Sequence, residues 1–173
     1  MRSFPLAPMS LLIVVLTAVV LAVPVVFVLT GVGVSNGPLL SIGLLIAAGC
    51  LLVWLYARPN RFEVSSQGLA IVWPLRHRLI PAREILRARP IETWELRQEV
   101  GLGVRIGVGG LWGQFGWLWT MRGGTLITYV SRTDGLVLIE RRSGWPLLIT
   151  PAHRDDFVRA LQSALAGSVT PPR

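Results

Sequence analysis

Two imidazoles are the natural place to look for chemistry in this chain. His77 stands between Arg76 and Arg78, and His153 lies just ahead of the stretch RDDFVRAL. Acid–base work needs such a group within reach of a nucleophile or a second proton carrier. No nucleophile elbow, HExxH or CxxC pattern joins either histidine to a partner. Glu92, Glu95 and Glu99 follow at i, i+3 and i+7, so a helical turn would align them. No nearby histidine completes a metal set, and a solvated acidic face is the expectation. The single cysteine, Cys50, allows neither an intrachain disulfide nor a thiolate cluster and reads as apolar packing. The expectation is therefore no catalytic residue, no cofactor and no metal.

Residues 107–124, GVGGLWGQFGWLWTMRGG, raise the possibility of a phosphate loop. Such a loop needs its glycines followed by Lys and Ser/Thr at a helix start, and no lysine occurs anywhere in the chain. The dinucleotide fingerprint would need a surrounding βαβ unit, which is lacking. The stretch is also too short for a membrane span. Alternation instead predicts a strand. Phe115, Trp117, Trp119 and Met121 then share one side, with Gly116, Leu118 and Thr120 on the other. The rings are expected to fill a core, with contact between the Trp112 region and the bilayer as the alternative.

Arginines are the remaining candidates. Arg76, Arg78, Arg83, Arg87 and Arg89 crowd a short segment, and in an extended strand Arg76 and Arg78 point the same way. Guanidinium forks take phosphate oxygens two at a time, so this cluster is the candidate site for anionic lipid headgroups or a protein partner. Nucleic acid is not expected, because neither a recognition helix nor an exposed aromatic platform is evident.

The elements that must carry these groups divide sharply. No charged residue occurs between Arg2 and Arg58, while all nine acids and sixteen of the seventeen arginines lie from Arg58 onward. That part has a formal excess of seven positive charges. Met9–Thr30 and Leu39–Ala57 are apolar runs of 22 and 19 residues, each long enough to span a bilayer as a helix. GVGVSNGP, residues 31–38, reads as the turn between them. Pro24 should kink the first span. Trp54 and Tyr56 fit an interfacial belt, and Gly43, Ala47, Ala48 and Gly49 permit close helix approach or dimerisation. The first run exceeds the apolar stretch of a cleaved signal peptide. Arg2, Arg58 and Arg61 flank the outer ends and the turn has no charge, so both termini and the soluble part are expected on the cytoplasmic side of the plasma membrane.

Beyond Arg61 the apolar period becomes two. RFEVSSQGLAIVW reads as a hairpin turning at Ser65–Gly68, residues 75–80 as a third strand, PAREI as a short helical turn, and 87–92 as extended. Residues 100–108 alternate but are rich in glycine, which implies a bent strand. Turn signals at Gly123-Gly124, Asp134-Gly135 and Ser143-Gly144 give an antiparallel meander with strands near 115–121, 125–131, 136–141 and 145–150. Thr150 and Pro151 read as the cap and first residue of a helix that buries Phe157, Leu161 and Leu165. Gly167 is expected to end it.

The order of RFEVSSQGLAIVW, LIPAREI, LVLIERRSGWPLLITP and DDFVRAL resembles bacterial pleckstrin-homology-like domains attached to membrane helices, over roughly residues 61–166. The resemblance implies a bent, seven-stranded barrel-like sheet closed by the C-terminal helix, and a family without shared catalytic residues. The expected layout is a membrane-anchored α+β protein. A cytoplasmic segment (1–8) precedes a transmembrane hairpin (9–58), then a pleckstrin-homology-like barrel or sandwich (61–167) and a flexible tail (168–173). The expected function is non-enzymatic: a module docking a protein or anionic headgroups at the membrane. The alternative is an accessory subunit of a membrane complex assembled through its hairpin. The bilayer is the expected partner, with another membrane protein or a homo-oligomer left open.

Overall fold

A computed structural model describes residues 1–168; the rest of the tail, 169–173, lies outside the described residues. Two helices, α1 (Leu11–Gly33) and α2 (Gly37–Tyr56), occupy the apolar third. Both are long and apolar enough to cross a membrane, and their large side chains are mostly exposed. The turn is tighter than the sequence implied. Asn36 caps α2 by accepting the Leu39 N–H at 3.1 Å, and Pro38 sits in the first turn, where its missing N–H costs nothing. The helices touch where glycine lets them. A Cβ on Gly43 would lie 2.8 Å from Val28 Cγ2, whereas Gly49 has open space around it. Pro24 is buried within α1.

Residues 1–8 carry no periodicity long enough to read, yet they form a strand. β1 (Arg2–Pro5) pairs antiparallel with β2 (Arg61–Ser65), Phe4 opposite Phe62. The connection into α1 is stitched as well. Leu6 N–H donates to Asn60 O, Ala7 N–H to Thr150 O, and Ala152 N–H to Pro5 O, all within 3.1 Å. The buried Ser131 hydroxyl donates to Ala7 O. Both outer ends of the hairpin therefore return to one folded unit.

Among the described residues that unit holds ten strands in two sheets with no closed barrel, which corrects the seven-stranded barrel. The first sheet runs β1-β2-β3-β4, with β3 at Gly68–Val72 and β4 at His77–Pro81. Gly68, at φ +133°, allows the β2–β3 turn to pass under Ile80 O and Ala82 N, where a Cβ would collide with backbone. A 3-10 turn, Ala82–Glu84, leads to β5 (Ile85–Ile91), and then α3 (Thr93–Val100). The remaining strands are β6 (Gly103–Gly109), β7 (Gln114–Thr120), β8 (Gly124–Val130), β9 (Leu136–Arg141) and β10 (Leu147–Ile149). The second sheet runs β5-β9-β10-β8-β7-β6.

This order also corrects the simple meander. β10 enters between β8 and β9, parallel to β8 and antiparallel to β9. Asp134-Gly135 therefore lies on a crossover rather than in a tight hairpin. The three residues of β10 are fully apolar and buried, as a strand covered on both faces must be.

One core lies between the sheets, where Phe62, Leu69, Ile71 and Ile80 meet Phe115, Val137, Ile139 and Ile149. α4 (Arg154–Ser168) closes its side. Phe157 packs edge-on against Phe4 and Phe62, with ring centroids 5.4 and 6.2 Å apart. The helix starts later than Thr150–Pro151 suggested. Thr150 is buried, its hydroxyl accepting the Ser131 N–H at 2.9 Å, and Pro151 bridges to Leu6. These contacts hold the two residues in the N-terminal junction, so they cannot cap a helix. A second core lies on the far face of the six-stranded sheet, where Leu96 and Val100 of α3 cover Ile91, Leu126, Leu138 and Leu148.

Candidate membrane-facing groove

The end of α2 explains why the first sheet sits where it does. A helix leaves its last carbonyls without intrahelical donors, and two side chains from the β3–β4 turn supply them. Trp73 Nε1 donates to Ala57 O at 3.2 Å and Arg76 Nη2 to Tyr56 O at 2.8 Å. The turn itself is closed by Trp73 N–H on Arg76 O. Arg76 lies over the Trp73 ring, 4.4 Å from its centroid, and Trp73 meets the Tyr129 ring edge-on at 5.4 Å. Cation–π attraction and a charge-assisted bond thus fix one arginine at the junction of hairpin and domain.

Beside this junction runs a groove of about 850 Å³. Leu52, Val53 and Tyr56 of α2 form one wall, Val108 and Trp117 of the β6–β7 ribbon another, and Arg76, His77 and Arg78 the rim. Among the described residues no carboxylate lines it. Tyr129 stands at its base. Burial pushes the phenol upward, and Arg76 and Arg78 pull it the other way. The floor is apolar and the rim cationic, which suits an amphiphile with a negative head.

The five arginines do not share one site. Arg76 and Arg78 line the groove. Arg83 is exposed on the 3-10 turn, which packs against α4. Arg87 and Arg89 face carboxylates, Arg87 with Glu140 at 2.8 Å and Arg89 with Glu99 at 2.7 Å. Hydrogen bonding from Arg87 first, and from Arg89 after it, holds the Glu140 carboxyl below the usual glutamate range. The Glu99 bond raises Arg89 further. The three glutamates also have separate duties. Glu95 accepts the Glu92 N–H at the start of α3, Glu92 pairs with Arg154, and Glu99 with Arg89. His77 lines the groove, while His153 precedes α4 and does not.

Two contributors escaped the sequence reading. The opposite partner of the junction is α1, where Thr17 is buried and bonded twice to the β6–β7 loop. Its hydroxyl donates to Gly110 O at 3.1 Å and accepts the Trp112 N–H at 2.9 Å. A hydroxyl inside an otherwise apolar span was the available signal. The other contributor is β1, whose few residues carried none.

A family model for the bacterial PH domain matches residues 60–165, more than half of the chain. The chain belongs to the bacterial PH domain family. No curated protein and no solved structure matches it. The bacterial PH domain is a non-catalytic binding fold, and the match begins at Asn60, where the β1 junction and the end of α2 meet. Here the PH domain is extended by a strand from the far side of an apolar hairpin.

Proposed function

We propose that this PH-domain protein is a non-enzymatic binding module, anchored by a two-span hairpin with both termini and the domain in the cytoplasm, that docks anionic lipid headgroups in its groove. The observation carrying this reading is a pair of arginines, Arg76 and Arg78, with no carboxylate beside them at the base of an apolar hairpin. Arg76 is already oriented by Trp73 and Tyr56 O and keeps guanidinium donors for a phosphate oxygen. Arg78 is exposed on β4, an edge strand of its sheet, and completes a two-point hold. Leu52 and Val53 offer acyl chains a continuous path from the bilayer. Arg83, exposed on the 3-10 turn, adds diffuse attraction toward an anionic leaflet, worth about 1 kcal/mol at most near the surface, whereas Arg87 and Arg89 are neutralised by Glu140 and Glu99. The Arg2, Arg58 and Arg61 placement supports the orientation.

The test uses the full chain in nanodiscs of phosphatidylcholine with or without phosphatidylglycerol, followed by native mass spectrometry of retained lipid. Preferential retention of phosphatidylglycerol, lost in Arg78→Gln, is expected. Equal retention of the two lipids, unchanged by the substitution, would overturn the headgroup reading and leave a protein as the occupant.

A further inference from the structure

The outer edge of the six-stranded sheet carries a face that the fold leaves bare. Val104 and Ile106 of β6 stand opposite Trp119 and Trp117 of β7. These four side chains are 60, 55, 56 and 48% exposed, whereas Phe115 on the same face of β7 is 2% exposed. Leu102 and Met121 continue the apolar run at the far end of the ribbon, both 79% exposed. The other face of β7 turns toward α3, with Leu118 packed on the α3 core. A contiguous bare patch rich in tryptophan marks an interaction surface.

Continuity with the hairpin says what covers it. The β6–β7 loop is hydrogen-bonded to Thr17, six residues into α1, or about 9 Å along the helix axis. Trp117 shares the groove with Leu52, Val53 and Tyr56 from the last turns of α2. The exposed apolar surface of α1 begins at Leu11, and that of α2 runs to Tyr56. α1 is about 34 Å long and a hydrocarbon core about 30 Å thick, so lipid must begin close to those ends. The ribbon tip therefore lies at the level of the headgroup–acyl boundary, where amphipathic elements sink about 5–10 Å. Tryptophan prefers that depth.

The hollow lined by Arg97, Arg105 and Arg122 opens on the α3 side of the ribbon, with Arg105 opposite Leu118, so the occupant of the bare face follows from continuity with the hairpin and not from those cations. β6 is an edge strand, and its outward N–H and C=O groups need water. The boundary region supplies water and the hydrocarbon core does not, which limits the depth.

We propose that the face formed by Val104, Ile106, Trp117 and Trp119 rests in the headgroup–acyl boundary of the bilayer as a second, non-spanning foot. The domain is then held against the membrane on two supports, the hairpin and the ribbon. Trp117 belongs both to the groove wall and to this face, but Val104, Ile106 and Trp119 lie outside the groove, so labels at 106 and 119 test this inference apart from headgroup docking.

The full chain, carrying Cys50→Ala, is reconstituted in mixed phosphatidylcholine–phosphatidylglycerol vesicles. Nitroxide labels go on Ile106→Cys, on Trp119→Cys, or on Ser66→Cys in the β2–β3 turn at the far end of β2. Ile106→Cys keeps both tryptophans, so it remains informative if Trp119→Cys misfolds. At 106 and 119, collisions with oxygen should rise and collisions with a water-soluble nickel chelate should fall, relative to position 66. Nickel reaching 106 as freely as 66 would overturn the proposal. So would dipolar broadening at 106 that disappears on dilution with unlabelled protein, because it would put a second copy on the edge.

Discussion

The two halves of the six-stranded sheet differ in burial and in pattern, since β9 as far as Ile139 and β10 throughout are continuous apolar runs while β6 and β7 alternate around glycines. β9, β10 and β8 are covered on both faces, by the first sheet on one side and α3 on the other, and β5 shares both cores. β6 is exposed along nearly its whole length, and in β7 the residues past Phe115 on its face, Trp117 and Trp119, are about half exposed. Alternation fixes which residues share a face. Whether that face is buried depends on how far the opposing layer reaches, and the four-stranded sheet stops short of Trp117. A ribbon rich in glycine suits such a position. Gly107 and Gly116 pair with φ of +140° and +135°, and a Cβ on either would come within 2.4 Å of the partner strand's carbonyl oxygen.

The contrast within β7 gives the largest expected effects. Phe115→Ala should cost about 3–5 kcal/mol by opening a cavity in the main core. Trp117→Ala, two residues on, should stay within about 1 kcal/mol in detergent. Denaturant unfolding of both variants measures the gap, and similar losses would mean that Trp117 is core after all. Phe4→Ala tests whether the N-terminal strand belongs to the buried half. A loss of about 3 kcal/mol is expected, because Phe4 packs against Phe157 within the core.

A smaller effect probes the ribbon's tether. Thr17→Val keeps the shape but leaves the Trp112 N–H and Gly110 O unpaired, at about 1–3 kcal/mol. It should raise hydrogen exchange at Trp112 while leaving β9 protected. The smallest effect belongs to the ion pairs of the covered half. Glu140 is depressed by Arg87 and Arg89, so its stabilisation is complete above the ordinary glutamate range of about pH 4–5. It is lost as the pH falls through the lower folded value. Glu140→Gln should flatten that acid limb and cost under about 1 kcal/mol near neutrality, since the pair is partly exposed. An unchanged acid profile would count against it.

Strong local patterns made parts of this architecture legible. The charge-free run, the hairpin turning at Gly68, the PAREI turn and the Phe157–Leu161 face of α4 all follow from periodicity and punctuation. What escaped depended on distant partners. β1 has too few residues for a pattern and exists because β2 offers an edge. Thr150 looks like a cap until Ser131 and the N-terminal connection claim it. β10 has the sequence of a meander strand, and only tertiary pairing inserts it between β8 and β9. At the site, the arginine types were visible, but not that Arg87 and Arg89 face glutamates while Arg76 closes a helix end. The tryptophan alternation reads as core for a related reason, since a sequence does not display the extent of the opposing sheet.

The chain leaves the domain into the hairpin and returns to it on the same side, sealed by the β1–β2 pair. Ser3 and Glu63 are directly opposed there. They flank the Phe4–Phe62 pair and so fall at a non-hydrogen-bonded position, where Cα atoms approach to about 4.5 Å, within disulfide reach. Ser3→Cys with Glu63→Cys, in a Cys50→Ala chain with a protease site in the α1–α2 turn, should oxidise within one molecule in membranes. After cleavage of the turn it should still run as one band until reduced. Two separate bands without reductant, or cross-linked dimers instead, would contradict the account.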